Sequence, residues 1–333
     1  MKSDRRAPVA IIGAGFSGTM LAAQLARRGT KSLLIECSER AGFGTDYSTD
    51  EPAHLLNVRA EGMSAWPDDP GHFAREFGDP RGFAERRFFG GYLRRVLDAA
   101  VTLGQVEIVA SKAMHAVRGA EGWHVTLEDG ETVAAQALAL ATGNQPPERM
   151  SIGSSAGRRF INNPWGEEAK AVVRETPVSG GDVLLIGTGL TMIDAVLSLS
   201  AAGHQGRIVA LSRRGQMPKA HTDFVPAPVG AGDIPTGNVL AMWRWLRRQS
   251  GEVGWRAAVD SLRPHSHALW QGWSDEQQRR FLRHARPWWD VHRHRIAPEV
   301  ARQVHDRVAQ GLLQIVAGRI GAMEQVNGGL EVE

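Results

Sequence analysis

Two strand–turn–helix units with glycine-rich turns, PVAIIGAGFSG at residues 8–18 and VLLIGTGLTM at 183–192, together with a Trp- and Arg-rich stretch after the second, predict an α/β fold. The expected architecture is two Rossmann-like dinucleotide-binding domains, three-layer with mostly parallel sheets, at 1–165 and 166–333. A helical insertion at about 226–297 is expected to interrupt the second. A length of 333 residues suits two domains, and 42% hydrophobic with 23% charged residues excludes collagen-like and broadly disordered chains.

The first unit opens with the apolar run at 8–12, followed by Gly13, Gly15 and Gly18 and then a helix carrying Met20, Leu21 and Leu25 that closes at Gly29. Gly13 permits the turn, Gly15 lets backbone approach a pyrophosphate, and Gly18 lets the helix pack closely with its positive end toward the phosphates. The next strand, SLLIE, ends at Glu36, 21 residues after Gly15, where a carboxylate accepts hydrogen bonds from ribose hydroxyls. That acid also disfavours a 2′-phosphate at this site. The text after Glu36 departs from a simple βαβ repeat, and Arg40 with Gly42 and Gly44 reads as a second loop over a longer dinucleotide, with a plain surface loop as the alternative.

Residues 106–110 read as a strand, GWHVTLEDGETV as a hairpin turning at Asp129-Gly130, and Ala141, Thr142 and Gly143 as the exit from the first domain. In the second unit Gly187 and Gly189 keep the turn, while Met192 stands at the third glycine's position and widens the helix–strand spacing. The strand that follows ends in Ser212, Arg213 and Arg214 where the first unit has Glu36, which suits a 2′-phosphate and so NADP(H) over NAD(H); two solvated loop arginines are the alternative.

With these motifs in order, the chain resembles the bacterial FAD/NAD(P)-binding oxidoreductases, related at fold level to flavin monooxygenases and glutathione reductase. The resemblance rests on IIGAGFSG, HLLNVRAEGMSAWPDD, FFGGYL, LATGNQPP, NPW, LLIGTGLTMID, LSRRGQMPKAH and WWDVHRHRIAPEVA and spans nearly the whole chain. It implies FAD at the first site and a nicotinamide cofactor at the second, with hydride passing to flavin N5; it implies no substrate. The span GRRFINNPWGEEAK lacks the monooxygenase linker signature, so oxygen insertion is not carried over. The residues expected at the FAD site are Gly13, Gly15, Phe16, Ser17, Gly18, Glu36, Arg40, Asn57, Val109, Thr142 and Gly143. Those expected at the nicotinamide cofactor are Gly187, Gly189, Leu190, Thr191, Ser212, Arg213 and Arg214.

In a flavoenzyme the flavin carries the redox step and the protein positions it. His54 and Asn57, followed by Arg59, Met63 and Trp66, are the candidates for its redox face. Asn57 would bond the flavin edge and His54 would move a proton, against the alternative of a packed, satisfied histidine. His221 is a candidate near the nicotinamide or a loop residue. Cys37, the single cysteine, has no CxxC partner, which excludes a redox disulfide and leaves inert packing.

The net charge of +3 is too small to indicate nucleic acid, yet residues 240–300 hold eleven arginines, no lysine and six acidic residues. Seven of the ten tryptophans lie between Trp243 and Trp289. Tryptophans packed inside a helical subdomain, with wet arginines that steer anions, are expected in preference to a nucleic-acid surface. Ser274 and Gln277 predict a capping box for a helix running toward Pro287, and Val300, Val304 and Val308 the inner face of a helix stopping near Gly311. His265 with His267 and His292 with His294 lie at helical spacings that diverge, so no metal is expected. In WWDVHRHR, Trp289, Asp290, His292 and Arg293 are expected either at the cleft or in helix packing with an Asp–Arg pair.

The segment 313–332 repeats the strand–bend–strand pattern of 106–125 and stops as its hairpin begins, so the expectation is a fragment or a shortened member lacking its last strands. A small-molecule substrate is expected, with no membrane or nucleic-acid partner, and homo-oligomerisation is left open. One cysteine, no apolar run of membrane-spanning length and a glycine-interrupted N-terminal stretch point to the cytoplasm. The expected activity is FAD-dependent reduction of oxygen or a small organic acceptor by NAD(P)H. The alternatives are a flavin monooxygenase acting on an amine or other small nucleophile and an FAD/NAD(P)-binding protein without turnover.

Overall fold

The computed structural model describes residues 5–148, 150, 157, 159–326 and 329–333. The chain divides into two compact units, Met1–Lys170 and Ala171–Glu333.

In the first unit β1 (Arg5–Ile12), α1 (Phe16–Arg27) and β2 (Ser32–Glu36) form the opening βαβ segment. After a long loop come α2 (His72–Phe77), α3 (Arg86–Thr102) and β3 (Val106–Ala110), then β4 (Ala113–Gly119), β5 (Gly122–Leu127) and β6 (Thr132–Leu140). The sheet order is β3-β2-β1-β6-β5-β4, with β1, β2, β3 and β6 parallel and β4–β5–β6 an antiparallel meander. Side chains on a strand alternate between faces, and β2 uses both. Leu34 packs with Ile11, Leu97 and Ala22 under α1 and α3. Leu33 and Ile35 pack on the opposite face with Val125, Leu127 and Val133 from the meander. The third layer is therefore a meander, which is why β2 is apolar almost throughout. The Asp129-Gly130 turn forms with Gly130 at φ +81.

α3 carries a second cluster in which Phe89, Tyr92 and Leu93 enclose Phe73, Leu56, Ala60 and Ala65, pinning the 54–66 loop. Gly90 has a packing reason: a Cβ there would lie 2.8 Å from the Tyr47 carbonyl oxygen and closer still to the Phe43 ring.

α4 (Glu167–Ser179) spans the division between the units. The second unit continues with β7 (Val183–Ile186), α5 (Leu190–Ala201) and β8 (Ile208–Ser212). The insertion follows as α6 (Val239–Val253), α7 (Trp255–Ser261), α8 (Ser266–Gly272), α9 (Asp275–Arg280) and α10 (Arg286–Arg293). The unit ends with α11 (Pro298–Ala309), β9 (Leu313–Ala317) and the hairpin β10 (Met323–Val326) and β11 (Gly329–Val332). β7, β8 and β9 form a parallel sheet in that order.

Trp245 and Trp273 are buried in the insertion's core with Met242, Leu246 and Leu262, as the composition predicts. Three local expectations need correction. Ser274 accepts the Gln277 backbone N–H at 3.4 Å, but the Gln277 side chain accepts from Val239 N–H at 3.0 Å instead of closing a capping box. It thereby completes the start of α6, where Asn238 already takes the N–H groups of Leu240 and Ala241. Pro287 does not end the helix, because a π-helical turn at Phe281–Ala285 precedes it and α10 begins afresh with the proline in its first turn. Val300 and Val304 are buried, but Val308 is 41% exposed, because successive i+4 steps drift about 40° each around a helix. Among the described residues no helix is long and apolar enough to cross a membrane.

Candidate functional site: two glycine-rich turns

In the first unit the chain leaves β1 through Gly13, whose N–H donates to Ile35 O at 2.8 Å, while Ala141 N–H donates to Ile12 O at 2.8 Å. The turn is thus held between the ends of β2 and β6. Gly13 has φ +99, and a Cβ on it would lie 2.3 Å from the Ala141 carbonyl oxygen; one on Gly18 would lie 1.8 Å from that of Gly13. Gly15 differs, since its Cβ would meet only Gly44 Cα at 3.6 Å, an ordinary contact. Gly15 is the N-cap of α1 and no side chain caps that helix, so its first-turn N–H groups face outward from the end of the parallel sheet. Phe16, 44% exposed, and Ser17 complete that turn.

The loop after β2 returns to this turn. Gly42 N–H donates to Ala14 O at 2.8 Å, and a Cβ on Gly44 would lie 3.0 Å from Gly15 Cα. Arg40 reaches the carbonyl of Ser48 and lies 3.7 Å from Asp50. Thr142 and Gly143 follow β6 on an exposed stretch beside Gly13. Val109 gives its side chain to the core with Leu33 and Ile35, so only its backbone is available to a ligand.

Glu36 accepts Ala14 N–H at 2.7 Å on one oxygen and Ser38 N–H at 2.9 Å on the other. Burial alone would raise this carboxyl, but the bonds from Ala14, Ser38 and the Cys37 thiol outweigh it and hold it below the ordinary glutamate value. A lowered folded-state value contributes stability at neutral pH that is lost as pH falls through it. Glu36→Gln, which turns an amide toward one of the two backbone donors, is expected to cost about 1–3 kcal/mol in a urea titration at neutral pH. That cost should shrink in acid, where wild type loses the same contribution. Cys37 is exposed, correcting its assignment to inert packing: following the last residue of β2, it turns toward the Glu36 carboxylate.

His54 is 4% exposed, and its Nδ1 lies 2.8 Å from Thr49 Oγ1, the environment of the packed histidine. Asn57 is partly buried on the same loop. Sequence reasoning missed the aromatic group around the turn, in which Phe16 stacks on Phe89 at 6.5 Å and Tyr47 meets Phe89 edge-on at 4.9 Å. It also missed Tyr92, whose hydroxyl accepts Ala65 N–H at 3.0 Å and pairs with His72 Nδ1 at 3.0 Å, fixing the loop before Trp66. The only signal for either was the FFGGYL spacing on α3.

The second unit repeats the turn. Gly187, at φ +111, donates to Leu211 O at 2.7 Å as Gly13 does to Ile35 O, and Gly189 is the N-cap of α5, again without a side-chain cap. Leu190 and Thr191 open that helix, and Met192 is buried where the first unit has Gly18. Thr188 and Ser212 share a hydroxyl hydrogen bond at 2.8 Å, and Ser212 Oγ accepts Gly215 N–H at 3.0 Å. Ser212 therefore anchors its turn as Glu36 anchors the first. Arg213 and Arg214 are exposed beyond it, with no hydrogen-bond or ion-pair partner among the described residues. In the insertion, Asp290 pairs with Arg286 at 3.2 Å, His292 Nδ1 contacts Trp288 O at 2.7 Å, and Trp289 packs on the core, which is the helix-packing arrangement. His265 bonds Val229 O at 3.0 Å, and His221 N–H donates to Ile296 O at 2.9 Å. No group of three metal-ligating side chains occurs among the described residues.

A mixed, mostly parallel sheet in the first unit and a parallel one in the second, each with an open glycine turn at the head of a helix, define an α/β protein of the dinucleotide-binding class. Residues 10–145 match the family model described as FAD-NAD(P)-binding. No curated protein matches the chain. Among solved structures it is similar to the Kutzneria sp. 744 ornithine N-hydroxylase, crystallised with FADred, NADP+ and L-orn, at 16% identity and TM-score 0.60 over 98% of this chain and 75% of that one. It is also similar to an oxidized steroid monooxygenase bound to NADP, at 15% identity and TM-score 0.59 over 98% and 68%. Both establish a shared fold. OTEMO in complex with FAD and NADP aligns at 26% identity and TM-score 0.45 over 65% of this chain, which spans 40% of its length.

Proposed function

We propose that the chain is an FAD-dependent NAD(P)H oxidoreductase, with FAD on the first unit and NADP(H) on the second, that passes electrons to oxygen or a small organic acceptor. The observation that carries the reading is the Gly13–Gly18 turn, open at Gly15 and tied to Glu36 through Ala14 N–H at 2.7 Å. The residues fit a dinucleotide: α1's first-turn N–H groups would hold the pyrophosphate, and the remaining lone pairs of Glu36 would take the ribose hydroxyls. When bound, FAD supplies a two-electron carrier that accepts hydride from a nicotinamide. The 54–66 loop, pinned by Tyr92 and Phe89, would border the flavin with Asn57, and His54 would move a proton there. On the second unit, α5's first turn would hold the cofactor pyrophosphate, and the exposed Arg213 and Arg214 its 2′-phosphate.

The test is the visible spectrum of the purified chain before and after NADPH or NADH is added without oxygen. Flavin absorption that bleaches is the expected result; absent flavin, or bound flavin that neither nicotinamide bleaches, overturns the reading. Loss of a charge-assisted bond costs about 1.5–3 kcal/mol, so the Arg213→Gln/Arg214→Gln double variant is expected to lower the preference for NADPH over NADH by about 10-fold or more in kcat/KM.

A further inference from the structure

In the second unit the glycine turn and the arginine-bearing turn after β8 are joined through hydroxyl groups. The first unit makes the corresponding join differently: Ala14, between Gly13 and Gly15, has no side-chain oxygen, and Glu36 takes its N–H directly at 2.7 Å. Thr188 stands in the same place between Gly187 and Gly189 and is 5% exposed. Its Oγ1 lies 2.8 Å from Ser212 Oγ and donates to Gln216 O.

The protons in this group follow from the partners. A carbonyl oxygen only accepts, so the single hydroxyl proton of Thr188 goes to Gln216 O. Ser212 then donates to Thr188 Oγ1, while a lone pair of Ser212 Oγ takes Gly215 N–H at 3.0 Å. One threonine hydroxyl therefore holds both ends of the segment 212–216, with Arg213 and Arg214 between them. The segment is tied to the end of β9 as well. Ser212 O accepts Gly318 N–H at 2.9 Å, and a Cβ on Gly215 would stand 3.2 Å from that of Ala317. With the backbone held at these points, the two exposed arginines keep side-chain freedom while their Cα positions are fixed. Ordering a loose segment opposes binding, so a turn fixed beforehand gives its charged groups more affinity for the same contacts.

On the reading that NADP(H) binds the second unit, we propose that Thr188 is a positioning residue for cofactor selection: through Ser212 and Gln216 it sets Arg213 and Arg214 at the 2′-phosphate. Thr188 is enclosed and acts through the turn. A nicotinamide cofactor without that phosphate offers the arginines nothing to hold, so its binding does not depend on the clamp.

Calorimetric titration of the full chain with NADP+ and, separately, with NAD+ tests this. Thr188→Val nearly keeps the side-chain volume and removes the hydroxyl. It is expected to weaken NADP+ about 10-fold or more, on the scale of one lost charge-assisted bond, while NAD+ changes by less than about 2-fold. Thr188→Ser keeps the hydroxyl and is expected to bind both cofactors as wild type does. In the Arg213→Gln/Arg214→Gln background, Thr188→Val is expected to change neither affinity further, because the groups it positions are gone. Thr188→Ala is the second variant, expected to fold because alanine occupies this place in the first turn, and to show the same selective loss. NADP+ preference kept in both hydroxyl-deleting variants, equal weakening of the two cofactors, or loss of preference in Thr188→Ser would overturn the proposal and leave NADP(H) on the second unit. A wild type that binds NAD+ as tightly as NADP+, or binds neither, would overturn both.

Discussion

Gly18→Ala is expected to destabilise the first unit by about 3 kcal/mol and to prevent flavin retention, whereas Gly15→Ala is expected to keep wild-type stability and still lose the flavin. The two glycines lie three residues apart and answer to different constraints. A Cβ on Gly18 would stand 1.8 Å from the Gly13 carbonyl oxygen and 3.3 Å from the Ala141 Cβ, so α1 must move off the sheet to admit it. The obstacle is backbone, which no rotamer change relieves. A Cβ on Gly15 meets ordinary contact at 3.6 Å and the backbone there is extended, so the protein alone tolerates alanine. The methyl would instead occupy the space through which a pyrophosphate reaches the α1 N–H groups, weakening FAD by about 100-fold, or about 2.7 kcal/mol. Urea titration of the flavin-free proteins, paired with flavin absorbance after gel filtration, separates the two. Wild-type stability in Gly18→Ala, or full flavin retention in Gly15→Ala, would contradict this account of the turn.

His204→Leu is expected to stabilise the chain by about 1–3 kcal/mol and to flatten the acid side of its stability profile. His204 follows α5 and is fully buried, and neither ring nitrogen has a hydrogen-bond partner among the described residues. A Cβ on Gly206 would lie 2.7 Å from its ring Cε1, and Arg307 donates to its carbonyl oxygen at 2.9 Å. Burial first, then the positive charge of Arg307, push the imidazole below its ordinary value, against a weaker opposing pull from Asp182. The neutral form is the folded form. As pH falls through about 6.5 the unfolded chain takes up a proton that the fold refuses, so stability declines there. Leucine removes both the unpaired polar atoms and the titration. Unfolding midpoints from about pH 5 to about pH 8 check the result; a variant less stable than wild type at the upper end would show that the ring contributes more than it costs.

The turns were legible because they are local: strand, Gly-x-Gly, helix and a terminal acid at fixed spacing leave few ways to fold. The meander was legible as strands but not as a layer, because Val125, Leu127 and Val133 meet Leu33 and Ile35 only through long-range packing. The capping box was half legible. Ser274 obeys its local rule, whereas Gln277 serves a helix that starts 38 residues earlier. The wet-arginine expectation fails at Arg295 for a similar reason: no spacing within WWDVHRHR announces that Asp260 lies beside it. Glu36 was recognised for a ligand, yet its bond to Ala14 N–H, equally part of the folded turn, has no sequence signature of its own.

That bond joins Glu36 and the open end of α1 into one piece. Because Glu36 and the open end of α1 are joined through Ala14, a nucleotide bound as proposed would, on engaging one, present its remainder to the other at high effective concentration. On the proposed reading, a nucleotide carrying both ribose hydroxyls and a phosphate would gain as a chelate does, while a nucleoside or free phosphate, able to engage only one element, would not. A preference for ligands that carry both groups would in this way be built into a single 2.7 Å contact.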